Sequence, residues 1–143
     1  MITITDTCNH HSCPPAWQHQ IPPESVIFDI ETTGFSPKSA FIYLVGALTL
    51  KNGSWQLTQW LAESPKDEPE ILSAFSSFLS GFRYLIHFNG EAFDLPFLKK
   101  NGCIPTIRLQ LSETSHRKPE RTIFYRLKKK ACANASYMPL PSQ

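Results

Sequence analysis

The 143-residue chain has few cysteines, no apolar run of membrane length and no internal repeat. Each absence excludes something. The longest largely apolar stretch, Phe41–Leu50, is ten residues and contains Gly46, well short of the roughly 20 that a helix needs to cross a bilayer. No membrane span is expected. The first twenty residues carry polar and imidazole side chains where a secretory signal needs an apolar stretch, so the cytoplasm is the expected compartment. Four cysteines, at positions 8, 13, 103 and 132, are too few and too scattered for a disulfide framework. What is present is core material: 41% apolar residues, with ten Phe and three Trp, exclude a wholly disordered chain. The length allows one domain of ordinary size.

Charge is spread unevenly. Residues 1–98 hold four Lys/Arg against ten Asp/Glu, whereas residues 99–143 hold ten against two, so an acidic body carries a basic tail. Such a tail suggests contact with nucleic acid. Residues 1–23, with His10, His11, Pro14, Pro15, Pro22 and Pro23 and no apolar period, read as an extended arm. Cys8, His10, His11 and Cys13 are residue types that zinc prefers, but their spacing fits no usual structural site.

The patterned body spans residues 24–102. Val26, Ile27, Phe28 and Ile30 form a β-prone run that ends at Thr32-Thr33-Gly34. Phe41–Leu50 is apolar on both parities, as a strand covered on both faces would be, and Asn52-Gly53 then supplies a hairpin turn into a return strand, Ser54–Leu61. Asp67-Glu68-Pro69-Glu70 is a helix start, and Ile71, Leu72, Phe75, Phe78, Leu79 and Phe82 recur on one helical face. A second β-prone run, Arg83–Phe88, follows that helix, and a strand-helix-strand crossover favours parallel pairing. Asn89-Gly90 turns the chain into Ala92–Lys100, a short helix with Pro96 near its start and Gly102 at its stop. The expected fold is thus α/β: a mixed sheet of three antiparallel strands, a crossover helix and a parallel fourth strand, truncated after the second helix. Residues 103–143 show no sustained period. A reading-frame disruption near Lys100 would produce this signature, as would a genuinely divergent tail.

Asp29 and Glu31 stand two apart on the first strand of this body, so both side chains point to one face at the strand end. Like charges this close repel unless a cation neutralises them, and carboxylate oxygens are what Mg²⁺ or Mn²⁺ take. Parallel pairing with the Arg83–Phe88 strand brings Asp94 toward the same edge. Asp-x-Glu followed by Thr-Thr-Gly, then Asn-x-x-x-Phe-Asp about sixty residues later, resembles the first two motifs of the DEDD 3′–5′ exonucleases, whose fold is ribonuclease-H-like. More narrowly, Phe28–Phe35, Tyr43–Gly46, Gln59-Trp60 and Phe88–Leu98 look like the YprB-type ribonuclease-H-like domain.

The resemblance implies hydrolysis of nucleic-acid phosphodiesters with two divalent cations, Mg²⁺ or Mn²⁺, acting on a single-stranded 3′ end of DNA or RNA. It implies that Asp29 bridges the metals, that Glu31 holds the one that activates water, and that Asp94 serves the other. Thr32, Thr33 and Gly34 would line the nucleotide site, and Asn89 would orient the strand end or contact the terminal nucleotide. Phe93 and His87 read as packed residues. The family's third motif requires a further Asp, preceded by Tyr at four residues or His at five, and no Asp follows Asp94 in this chain. Glu113 and Glu120 lack motif context, and Glu91 reads as a solvated turn residue. The alternative is therefore a catalytically inactive nucleic-acid-binding remnant.

Overall fold

The computed structural model describes residues 1–8, 21–87, 90–100 and 102. Five strands form one mixed sheet: β1 (Ile2–Cys8), β2 (Ser25–Thr32), β3 (Ile42–Lys51), β4 (Ser54–Leu61) and β5 (Tyr84–Ile86), in the spatial order β1-β4-β3-β2-β5. Helix α1 (Glu68–Leu79) joins β4 to β5, and α2 (Asp94–Lys100) follows β5. The pairs β2–β3 and β3–β4 are antiparallel, and β5 runs parallel to β2. The expected mixed sheet with its crossover helix is present. The β3–β4 hairpin turns on Asn52 and Gly53, both with positive φ (49° and 75°), the conformation in which Asn-Gly is favoured.

Residues 2–8, which the sequence reading placed within an arm, are extended and paired: they form β1, antiparallel to β4 from Ile2↔Leu61 to Cys8↔Trp55. The physical reason lies in Ile2, Thr3, Ile4 and Thr5, consecutive β-branched residues that suit a pleated edge. The helix start also differs in detail. Asp67 makes no side-chain cap on α1. Its carboxylate instead accepts from the backbone N–H groups of Glu63 (2.9 Å) and Ser64 (3.1 Å), one turn earlier, around a 3₁₀ turn at Pro65–Asp67. These bonds hold its carboxyl below the ordinary value.

The two faces of the sheet bury separate clusters. Val26, Phe28 and Ile30 of β2, Val45 and Ala47 of β3 and Trp60 of β4 pack against Ile71, Leu72, Phe75 and Leu79 of α1 and Leu95, Phe97 and Leu98 of α2. Ile27, Leu48, Trp55, Leu57 and Ile86 form the second cluster on the opposite face. That double burial explains why β3 is apolar on both parities. Phe75 is fully buried, with ring centroids 5.8 Å from Phe28 and 5.7 Å from Trp60. It joins α1 to the sheet. Gly102, at φ 66°, donates its N–H to the Lys99 carbonyl (3.1 Å) and closes α2 as a glycine stop.

Candidate functional site

Strand β2 has two halves. From Ser25 to Ile27 it pairs with β5, in the register Ser25↔Tyr84 to Ile27↔Ile86. Among the described residues the pairing with β5 ends at Ile27, and further along this strand another group meets the backbone. Asp94 does so: its Oδ1 accepts the backbone N–H of Ile30 at 3.3 Å. Ile30 stands between Asp29 and Glu31, so this bond brings the third acid to the other two across 64 positions of sequence. The convergence expected from parallel pairing is present. A register shift between Glu31 and Thr32 then bends the end of β2, as bulges beside functional sites do.

The three acids are electrostatically coupled. Asp94 is 5% exposed, and its pKa is raised from 3.8 to about 6 by burial first and by the charge of Asp29 second, with Glu31 adding to it. The N–H of Ile30 and the backbone N–H of Asp94 itself act in the opposite direction. Asp29 and Glu31 are half-buried. Among the described residues, no group of three or more His, Cys, Asp and Glu side chains is arranged so that it could hold a metal ion as it stands. What the set shares with a hard-cation site is its chemistry, namely oxygen donors whose mutual repulsion a cation would relieve.

The polar residues after the acids are held by local hydrogen bonds. Thr32 Oγ1 donates to the Gly34 carbonyl (2.6 Å), and Thr33 pairs with Phe41 through both its backbone N–H (3.0 Å) and its Oγ1, which accepts the Phe41 N–H (3.2 Å). A Cβ on Gly34 would lie 3.3 Å from that of Ala40, so close packing is the constraint visible at this glycine. Asn89, Glu113, Glu120, His10, His11, Cys13 and the basic segment 103–143 lie outside the described residues. Glu91 is an exposed turn residue. His87 is buried just past β5, and Phe93 packs on Phe97 with centroids 5.1 Å apart. Both are packed, as read.

One residue escaped sequence reasoning. Phe35 is 93% exposed, directly beyond the acids and Gly34, with its ring edge-on to Phe93 at 6.4 Å. The available signal was an aromatic in a Gly-Phe-Ser-Pro turn, outside any periodic segment that could bury it. An exposed ring beside three acids offers a flat apolar face to a ligand that carries both rings and charge.

Comparison with known proteins agrees with this fold. The model of the RNase_H superfamily matches residues 26–135, which takes in every described site residue and runs on into the basic segment. The chain is also similar to a DNA polymerase III of PolC type from Clostridium perfringens, 32% identical over 100 residues. That match covers 54% of this chain and 7% of the relative's length.

Proposed function

Since the chain belongs to the RNase_H superfamily, we propose that it carries the nucleic-acid site of a metal-dependent 3′–5′ exonuclease of the YprB type, complete in its first two motifs and lacking the third. The observation that supports this reading is the Ile30 N–H bond to Asp94, which ties an acid from α2 to the strand residue that separates Asp29 from Glu31 in sequence. Asp29, Glu31 and Asp94 would hold divalent cations, Mg²⁺ or Mn²⁺, and such a pair supplies, when bound, the charge that activates water and stabilises a leaving oxygen. The protein's own part is positional. Asp94 is pinned by Ile30, the bulge re-aims the chain after Glu31, and Phe35 presents a face on which a terminal base stacks. The Thr32-Thr33-Gly34 backbone runs between the acids and that ring.

Turnover is a separate matter. No Asp follows Asp94 in these 143 residues, so the carboxylate and the water-positioning group of the third motif have no counterpart in this chain. A proton-transfer group alone typically contributes about 10² to 10⁴ in rate. On this reading these 143 residues by themselves bind nucleic acid without turning it over. A 3′-labelled single-stranded oligonucleotide incubated with Mn²⁺ and the purified chain stays intact but is retained by it, with an affinity that falls as salt rises. Stepwise shortening that disappears in Asp29→Ala overturns the inactive reading and means that Glu113, Glu120 or a second subunit completes the site. Neither retention nor shortening overturns the nucleic-acid reading itself.

A further inference from the structure

Between β5 and α2 one buried imidazole meets the backbone of Gly90. His87 is 5% exposed, and its Nδ1 accepts the backbone N–H of Gly90 at 2.8 Å. The ring stands edge-on to Phe28 of β2, with centroids 6.2 Å apart at 74°. Gly90 fits against the ring only because it has no side chain: a Cβ there would lie 2.7 Å from His87 Cγ and 2.8 Å from Nδ1. The Gly90 carbonyl in turn accepts the Leu95 N–H at 2.8 Å, across the start of α2. Asp94 is the residue before Leu95, and its carboxylate caps Ile30. A continuous set of contacts thus runs from β2 through Phe28, His87, Gly90 and Leu95, and returns to β2 through Asp94.

We infer that His87 is a positioning residue: by accepting the Gly90 N–H it fixes Gly90, whose carbonyl holds Leu95 at the start of the helix that presents Asp94 to β2. It acts through Gly90, and an Nδ1 that accepts a hydrogen bond carries no proton itself. Its importance for cation binding rests on the site proposed above, whereas its control of the Asp94–Ile30 contact does not.

Two substitutions separate the acceptor from the bulk of the ring. Asn places its Oδ1 as many bonds from Cα as the imidazole places Nδ1, so His87→Asn keeps an acceptor for Gly90. Gln carries its amide one bond further, at the level of Nε2, and His87→Gln loses the match. Gly90→Ala strains the same contact from the other side. The readout is amide hydrogen exchange at Ile30, the N–H that Asp94 accepts, compared with Ala47 and Leu48 in central strand β3.

The expected result is that His87→Gln and Gly90→Ala speed Ile30 exchange about tenfold while Ala47 and Leu48 change less than about twofold, and that His87→Asn stays near wild type. Unchanged Ile30 exchange in the Gln and Ala variants overturns the inference. So does equal acceleration at all three amides, which marks mere loss of stability, and so does an Asn variant that behaves like Gln. Melting of the wild type against Mn²⁺ is run alongside: a flat Mn²⁺ response refutes the cation site and leaves the exchange data to judge His87.

Discussion

Asp94 shows how one residue combines a structural role with a cost. Its Oδ1 satisfies a strand N–H that β5 does not reach, yet it does so beside two like charges. A carboxyl whose folded pKa is raised from 3.8 to about 6 binds a proton more readily folded than unfolded. The contribution of Asp94 to stability is therefore highest below about pH 4, falls as pH rises to about 6, and stays lower above that by on the order of 2 to 3 kcal/mol. Asp94→Asn keeps an acceptor for Ile30 and removes the charge, so it flattens this slope and stabilises the chain at about pH 7.5 by on the order of 1 to 2 kcal/mol. Urea denaturation of both proteins across that range is the measurement, and parallel curves count against the repulsion. Phe35→Ala separates binding from folding in the same way. An almost fully exposed ring contributes little to the fold, so denaturation should move by no more than about 0.5 kcal/mol. Affinity for a single-stranded oligonucleotide should fall by about 1 to 3 kcal/mol, the usual worth of a base stacked on an aromatic ring.

At the scale of elements, the decisive feature is that β5 is short. Among the described residues it pairs with Ser25–Ile27, and Asp94 of α2 meets the backbone of β2 just beyond, at Ile30. The helix that delivers β5 depends on its buried face. Phe75→Ala removes a fully buried ring that touches both Phe28 and Trp60. It should cost about 3 to 5 kcal/mol in urea denaturation, and a loss below about 1 kcal/mol would mean that α1 is not the anchor described. Most elements were legible because each carried a local signal: Asn52-Gly53 for the hairpin, the spacing from Ile71 to Leu79 for α1, the alternation of Val26, Phe28 and Ile30 for β2. β1 was not, since its partner β4 lies some fifty residues away and its polar sequence continues into a Pro-rich stretch. The three acids were foreseen as neighbours, but not the bond that seats Asp94, which depends on where β5 stops. Neither Phe35 nor the fit of Gly90 against His87 has a periodic signature, because both arise from close approach in turns.

At the scale of the whole molecule, the proposed binding divides between the acidic body and the basic residues 99–143, with cation-seeking oxygens in one and phosphate-seeking amines in the other. The family match covers part of both, running through residue 135. Their separate contributions are distinguishable by salt: phosphate contacts from Lys128, Lys129 and Lys130 weaken steeply with ionic strength, while stacking on Phe35 does not. Beneath both lies the claim that Asp29, Glu31 and Asp94 together hold a divalent cation. The direct measurement is the melting temperature of the chain as Mn²⁺ is raised to millimolar concentration at about pH 7.5, for the wild type and for Asp29→Ala. Binding at about ten times the dissociation constant stabilises by about 1.4 kcal/mol, so the wild type should gain a few degrees and Asp29→Ala almost none. A wild-type curve indifferent to Mn²⁺, or an equal gain in Asp29→Ala, would contradict the site.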